Sequence, residues 1–299
     1  MMGTKALSFK PTISQFWRRR ITPGKVIIYL VLLVVFFITV YPFFYVLFLS
    51  VMPYDRFLSQ PIHWIPNGFT LFYFKTILTD PQLPRAYGIS VLRTVIGTTL
   101  NVVCTMMAGY ALSRRKLKYG RILTFFFLVP MYFSAGLIPY YLTIRATHLT
   151  NTFFVLILPG LVSSWWFYIT RASLLNYPEE IIEAASIDGA GQFYIFWRIV
   201  WPTSMPLIAT LAVMYGTGHW NEYFFSRFLV EKTLWPATAQ LYNLMQTRQV
   251  LQNLGAALHI DPQSYLAALA AMLIIPVLVV YPLLQRYVVA GIMVGGLKE

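Results

Sequence analysis

The stretch Glu183-Ala184-Ala185-Ser186-Ile187-Asp188-Gly189 combines charged with small residues and lies between long apolar segments. Pro178, followed by Glu179 and Glu180, marks a helix start, because acidic side chains favour the positive end of the helix dipole. Gly189 is a typical C-terminal stop. The sequence therefore predicts a short helix that faces solvent on a membrane protein.

Two sides of this predicted helix differ in character. Ile181, Ala184 and Ala185 share one side, where the small alanines permit another body to approach closely. The three glutamates share another side, and like charges three and four residues apart repel unless a cation lies opposite. The pattern is compatible with an ordinary solvated helix at a membrane surface, and equally with a helix that docks onto a basic partner.

The spacing around this stretch resembles the EAA signature of ABC-importer permeases, which reads EAA, three residues, G, nine residues, I, one residue and LP. The matching residues here are Glu183, Ala184, Ala185, Gly189, Ile199 and Pro202. Trp201 replaces the leucine of the signature and is likewise bulky and apolar. The resemblance implies that segment 176–202, including Asp188, forms a coupling helix that docks into a groove of a cytoplasmic ATPase subunit. It also implies that Glu183 faces a basic residue there.

The composition excludes an ordinary soluble domain, because 58% of the 299 residues are apolar and only 11% are charged. The chain is predicted to be an all-α integral membrane protein, with room for about six to eight spans of about 20 residues. The net charge of +13 fits cytoplasmic loops better than nucleic-acid binding, since the basic residues lie in separate loops. Cys104 lies in an apolar run, so no internal disulfide or cysteine metal cluster is expected.

Apolar runs predict six transmembrane helices and divide the chain into a polar N-terminal segment, 1–25, and a single permease domain, 26–299. The predicted spans lie at about 26–52, 90–112, 122–142, 152–170, 206–229 and 264–289. The first run is too long for a signal-peptide core and lacks a cleavage site, so we interpret it as a span. Pro130, Gly136 and Pro139 predict a kink in the third span.

The distribution of charge predicts the orientation. The loop after the second span carries a cluster of cations and no acid: Arg114, Arg115, Lys116, Lys118 and Arg121. The N-terminal segment is also purely basic. Both termini are therefore predicted in the cytoplasm, with the loops at about 53–86 and 230–263 outside. The resemblance places the chain in the bacterial inner membrane.

Polar residues interrupt the fifth predicted span at His219-Trp220-Asn221-Glu222. Ionisable groups inside a membrane are costly, so His219, Asn221 and Glu222 should face the bundle interior or a water-filled path. Trp220 offers an aromatic face to a sugar, although indole is also common at membrane surfaces. Alternatively, these residues end the helix at the outer surface. Trp220-Asn221-Glu222 resembles the Trp-Asn-acid sequence that carbohydrate permeases carry near the translocation path.

The C-terminal residues carry a second resemblance. Gln285-Arg286-Tyr287, Gly291 and Gly295-Gly296-Leu297-Lys298 resemble the tail of the smaller permease of maltose-type importers. The resemblance implies that Gly295, Gly296 and Lys298 contact the ATPase subunits, whereas a solvated end is the alternative. Segment 135–139 resembles permeases for complex oligosaccharides, such as those of alginate-oligosaccharide importers.

Together these resemblances imply a subunit of a type I ABC importer of the maltose type. Such a subunit pairs with a second, homologous permease, two ATPase subunits dock on the coupling helices, and an extracytoplasmic solute-binding protein delivers the oligosaccharide. The chain contains no GxxxxGK[S/T] phosphate loop, so ATP and Mg are expected only in the ATPase subunits. No catalytic residue, metal site or cofactor is expected in this chain.

An excess of basic over acidic residues in the outer parts favours an acidic, alginate-like cargo. Two other functions remain open at this stage. One is a membrane-embedded enzyme acting on lipid-linked sugars, with His219 and Glu222 as acid and base. The other is an ion-driven transporter.

Overall fold

A computed structural model describes residues 23–53, 68–114, 117–247 and 261–296, with side chains to residue 282 in the last of these ranges. All regular structure in the described ranges is helical, which confirms the all-α prediction. The helices of the first half are α1 (Pro23–Val51), α2 (Phe72–Thr79), α3 (Gln82–Ser113), α4 (Gly120–Tyr132), α5 (Leu137–Ala146) and α6 (Ser164–Leu175). Those of the second half are α7 (Glu179–Ile187), α8 (Gln192–Thr203), α9 (Met205–Asn221), α10 (Phe224–Leu229), α11 (Ala237–Gln246) and α12 (Pro262–Gly296).

Three helices are each long and apolar enough to cross a membrane. They are α1, α3 and the part of α12 from Pro262 to Pro282. Two bent pairs are further candidates: Phe153–Gly160 with α6, at 49°, and α8 with α9, at 82°. Length and composition thus support three to five spans. The six-span arrangement and the cytoplasmic position of both termini stay predictions, and residues 1–22 lie outside the described residues.

The third predicted span, 122–142, is interrupted rather than merely kinked. Its first part, α4, has 13 residues and rises about 20 Å, which is less than the ~30 Å hydrocarbon core. Residues 133–136 are not helical, and Gly136 has φ +86°, a conformation that favours glycine. A new helix, α5, starts at Leu137.

Two helices have bounds that differ from those of the predicted spans, for local reasons. The helix of the second predicted span begins at Gln82 rather than near residue 90, because the Asp80 side chain accepts the Gln82 N–H (2.8 Å) and starts the helix there. The helix of the fifth does not continue to Leu229. It ends at Asn221, and the Glu222 carboxylate accepts the Phe225 N–H (2.6 Å) at the start of the separate helix α10.

α3 is the central helix of the fold. It packs against α6 and α9, α9 also packs against α12, and α12 packs against α1. Two glycines of α3 permit this close packing, since a Cβ at Gly109 would lie 2.6 Å from Thr170 of α6, and one at Gly97 would lie 2.5 Å from His219 of α9. The most apolar stretch of α1 is not buried within the chain, so it must face lipid or another subunit.

Candidate functional site

The short helix α7 begins and ends close to where the sequence predicts. Pro178 is the residue before the helix rather than its first residue, and Glu179 and Glu180 form the first turn. The helix ends at Ile187, and Gly189 has φ +85°, where an L side chain would be strained. The Ala190 N–H donates to the Ala185 carbonyl (3.0 Å) and closes the turn. The predicted glycine stop is confirmed.

Within the described residues, α7 packs into the core of the chain through one side. Ile182 is 4% exposed and lies in a core cluster. The other buried members of this cluster come from α3, α6, α8 and α9: Val102, Met106, Tyr110, Leu174, Ile195, Phe196, Val200, Leu211 and Tyr215. On the outer sides Ile187 is 85% exposed, and Ile181, Ala184 and the three glutamates are also exposed. The helix therefore presents a mixed acidic and apolar surface.

The remaining residues of the EAA-like spacing lie on α8. Ile199 packs against the core cluster, whereas Pro202 is exposed. Trp201, which stands where the signature has leucine, packs against Phe196 (ring centroids 5.8 Å apart) and Trp197 (4.7 Å). The replacement is thus accommodated by an aromatic cluster on α8.

An open cavity of about 920 Å³ separates α7 from the end of α3. Glu179, Glu183 and Ile187 line one side, and Tyr110 and Arg114 line the other. The cavity places α7 and the Arg114 end of α3 at the same end of the molecule. This agrees with the sequence-based prediction that both face the same side of the membrane.

Polar side chains pair along the contact between α3 and α9. We call this row the polar seam; its pairs are Arg93 with Glu222 (2.6 Å between Nη1 and Oε2), Asn101 with His219 (2.7 Å) and Thr105 with Tyr215 (2.8 Å). Because α3 and α9 contribute successive partners in opposite order, the two helices are antiparallel at the seam. The Tyr215 hydroxyl also accepts the Ser163 N–H (3.1 Å), which joins the seam to the start of α6.

Arg93 is buried and Glu222 is mostly buried in their ion pair, with side chains 6% and 18% exposed. Arg93 also donates from Nε to the Leu156 carbonyl (3.2 Å). The Glu222 carboxylate accepts further hydrogen bonds from the Ser226 hydroxyl (2.6 Å) and the Phe225 N–H (2.6 Å). Buried charges persist when they are paired and hydrogen-bonded in this way. A carboxylate bound by three donors is poorly placed to act as a general base, which disfavours the enzymatic alternative.

The His219–Asn101 pair has a defined direction. Asn101 Nδ2 donates to the carbonyls of Gly160 (2.6 Å) and Leu161 (2.9 Å), so its Oδ1 faces His219. An amide oxygen only accepts, and His219 Nε2 must therefore carry the proton. Asn101 thus connects α3, α9 and the loop before α6.

A cavity of about 450 Å³ opens beside the polar seam. His219 and Glu222 line it, as predicted for residues of a path, together with Tyr140, Trp166 and Tyr215. It combines aromatic faces with hydrogen-bonding groups, the combination that binding sites for polar organic molecules use.

Trp220 and Asn221 do not line this cavity, and their place on the substrate path stays a prediction. The Trp220 indole is 8% exposed, donates to the Leu273 carbonyl (3.0 Å) and contacts the Tyr87 ring edge-to-face. It faces α12 because successive helix positions are rotated by about 100° from one another. Asn221 is exposed at the last residue of α9 and does not line the cavity.

Sequence reasoning missed Arg93, Asn101, Thr105 and Tyr215. Arg93 and Asn101 interrupt the second predicted span, and the rule applied to His219 would have selected both.

No group of His, Cys, Asp and Glu in the described ranges could hold a metal ion. At the C-terminus, Gly295 and Gly296 form the end of α12, while Lys298 lies outside the described residues, so the tail contact stays a prediction.

These features define an integral membrane protein with a surface helix and an internal polar cavity, the general design of a transport permease. A family described as "Binding-protein-dependent transport system inner membrane component" matches residues 101–294, and the chain belongs to this family. The family prediction is thereby confirmed.

Relatives and a solved structure extend the comparison. The polygalacturonan/rhamnogalacturonan transport system permease protein YtcP of Bacillus subtilis is 30% identical over 91% of this chain and 97% of that protein. The arabinooligosaccharides transport system permease protein AraQ of Halalkalibacterium halodurans is 30% identical over 88% and 92%. The crystal structure of a bacterial ABC transporter involved in the import of the acidic polysaccharide alginate matches with a TM-score of 0.84, at 24% identity over 90% of this chain and 99% of that chain. The structural match supports the fold.

Proposed function

We propose that this chain is one of two permease subunits of an ATP-driven oligosaccharide importer, with α7 as the site where an ATPase subunit attaches. The observation that carries the proposal is the surface of α7, where Ile187 is 85% exposed beside three exposed glutamates. A large apolar side chain next to acidic groups on a protruding helix suits a groove with an apolar floor and basic walls. The EAA-like spacing supports the same partner.

Packing provides a route from α7 to the cavity. Ile182 of α7 shares the core cluster with Tyr215. Tyr215 is also part of the polar seam, where its hydroxyl pairs with Thr105. Close-packed interiors transmit displacements rather than absorb them. In the proposed mechanism, closure of the ATPases displaces α7. The helices α3 and α9 move with α7 as one body, and this movement opens the cavity alternately to the two sides of the membrane.

A second permease subunit is supported by the interruption between α4 and α5. Phe133 to Gly136 are exposed and not helical, and within the described residues the N–H groups of Ser134 and Ala135 donate no hydrogen bond. The break lies about 20 Å along the helix axis from Gly120, the first residue of α4. Irregular backbone at that depth is tolerated only where protein or a water-filled cavity covers it. A homologous permease across the translocation path would provide that cover.

The proposed cargo is an oligosaccharide, delivered by the solute-binding protein that the family description implies. YtcP and AraQ are both named for oligomeric or polymeric sugars. We extend the proposal to acidic, uronate-containing chains, because the name of YtcP includes polygalacturonan and because cations outnumber acids in the predicted outer parts.

The test is uptake into vesicles that contain this chain, the second permease and the ATPase, supplied with the binding protein. Oligogalacturonate and arabino-oligosaccharide are offered in parallel, with and without ATP. We expect ATP-dependent uptake, with oligogalacturonate preferred. Uptake driven by an ion gradient without ATP would contradict the importer proposal, whereas a preference for the neutral sugar would contradict only the acidic cargo.

A further inference from the structure

A third cavity, of about 740 Å³, lies between the end of α3, the start of α4 and the end of α6. Four cations line it, namely Arg114, Lys118, Arg121 and Arg171, and no acidic side chain does. We call it the basic cavity. Its remaining walls are largely apolar and include Ile122, Phe125, Leu128 and Leu175.

Within the described part of the chain none of the four cations forms an ion pair, although Arg114 also lines the larger cavity that Glu179 and Glu183 border. Arg171 is positioned by a hydrogen bond from its Nε to the Leu112 carbonyl (2.9 Å). Arg114 stacks over the Tyr110 ring, 4.8 Å from the ring centroid, and its Nε is buried without a hydrogen-bond partner. The residues that line the basic cavity therefore carry four positive charges and no negative charge.

The apolar walls distinguish between possible anionic ligands. Ile122 and Phe125 are exposed on α4 directly beside the cations, and Phe126 continues the exposed apolar face. A free anion or an acidic peptide would use the cations and leave this face uncovered. A molecule with an anionic head and hydrocarbon tails would use both.

We propose that the basic cavity binds the headgroup of an anionic phospholipid, with its phosphodiester among the four cations and its acyl chains along α4. This proposal takes one point from the proposed function, namely that α7 lies on the cytoplasmic side of the membrane. The Arg114 end of α3 lies at the same end of the molecule as α7, so the cavity opens at the cytoplasmic leaflet. That leaflet carries a negative surface potential, and basic pockets between membrane helices there bind lipid headgroups.

The test is native mass spectrometry of the purified full chain, titrated with phosphatidylglycerol or, separately, with neutral phosphatidylcholine. Lys118→Gln combined with Arg121→Gln removes two cations whose side chains are exposed, so folding should be preserved. The matched control, Lys75→Gln combined with Arg85→Gln, removes two exposed cations at the other end of the molecule. We expect preferential retention of phosphatidylglycerol, weakened about fivefold for each charge removed from the cavity and unchanged in the control.

Three results would overturn the inference. The first is undiminished phosphatidylglycerol binding by the cavity variant. The second is retention of glycerol 3-phosphate equal to that of phosphatidylglycerol, because glycerol 3-phosphate is anionic but has no acyl chains. The third is loss of ATPase copurification in the cavity variant with lipid binding intact, which would assign the cations to a protein partner. Because lipid binding is measured without ATP or sugar, its failure leaves the importer proposal standing.

Discussion

The helix α7 and the polar seam are held in opposite ways. α7 is a nine-residue local element that packs through Ile182 and exposes most of its other side chains. The polar seam joins residues 110 to 129 positions apart, and its charged pair is buried and hydrogen-bonded within the chain. The seam thus holds α3 and α9 together through contacts within the chain, whereas the proposed function requires another molecule at the surface of α7.

Breaking the ion pair of the seam should have the largest effect on stability. Arg93→Met leaves the mostly buried Glu222 carboxylate without its cation, which costs up to about 3–5 kcal/mol and should lower the yield of folded protein. The double variant with Glu222→Met removes both charges and should recover part of the loss. Thermal unfolding of the detergent-solubilised chain measures both variants. If the double variant is no more stable than Arg93→Met alone, the seam is not held by this pair.

Loosening α7 should have the next largest effect. Ile182→Ala leaves a cavity in the core cluster and costs about 2–5 kcal/mol, while Ile187→Ala, at an exposed position, should change stability by about 0.5 kcal/mol or less. In the assembled importer, Ile182→Ala should also reduce sugar uptake more than ATP hydrolysis, because α7 would move without displacing the bundle. Equal reduction of uptake and hydrolysis would contradict transmission through Ile182.

Crowding the seam should have the smallest effect of the three. Gly97→Ala places a methyl group 2.5 Å from His219 Nε2, so His219 must shift away from Asn101. We expect a loss of about 1–3 kcal/mol. Gly88→Ala is the control on the same helix, since nothing lies within 4 Å of the place its methyl group would occupy and only helix propensity changes. Similar unfolding temperatures for the two variants would contradict the close packing at Gly97.

The same contrast explains what the sequence predicts and what it does not. The start and stop of α7 depend on Pro178, Glu179 and Gly189, which act within a few residues, and the sequence predicts both within one position. Trp220 and His219 are adjacent in sequence but point to different helices. Which one faces the cavity depends on the rotation of α9 against α3, and that rotation depends on partners more than 100 residues away.

Breaks in the membrane helices were only partly predictable. Pro130, Gly136 and Pro139 predict a disturbance in the third span, yet they do not determine whether the helix only bends or separates into α4 and α5. Glu222 ends α9 because its carboxylate is held by Arg93 and by the Phe225 N–H. Hydropathy alone predicts that the span continues to Leu229.

The most direct test of the account is whether the ATPase subunit copurifies with this chain when the charge at Glu183 is reversed. Glu183→Lys places a cation where the account requires an acidic surface, and Glu231→Lys makes the same change at an exposed position on another part of the chain. We predict that the ATPase is lost from Glu183→Lys and retained by Glu231→Lys. Full retention of the ATPase by Glu183→Lys would contradict the assignment of α7 as its attachment site.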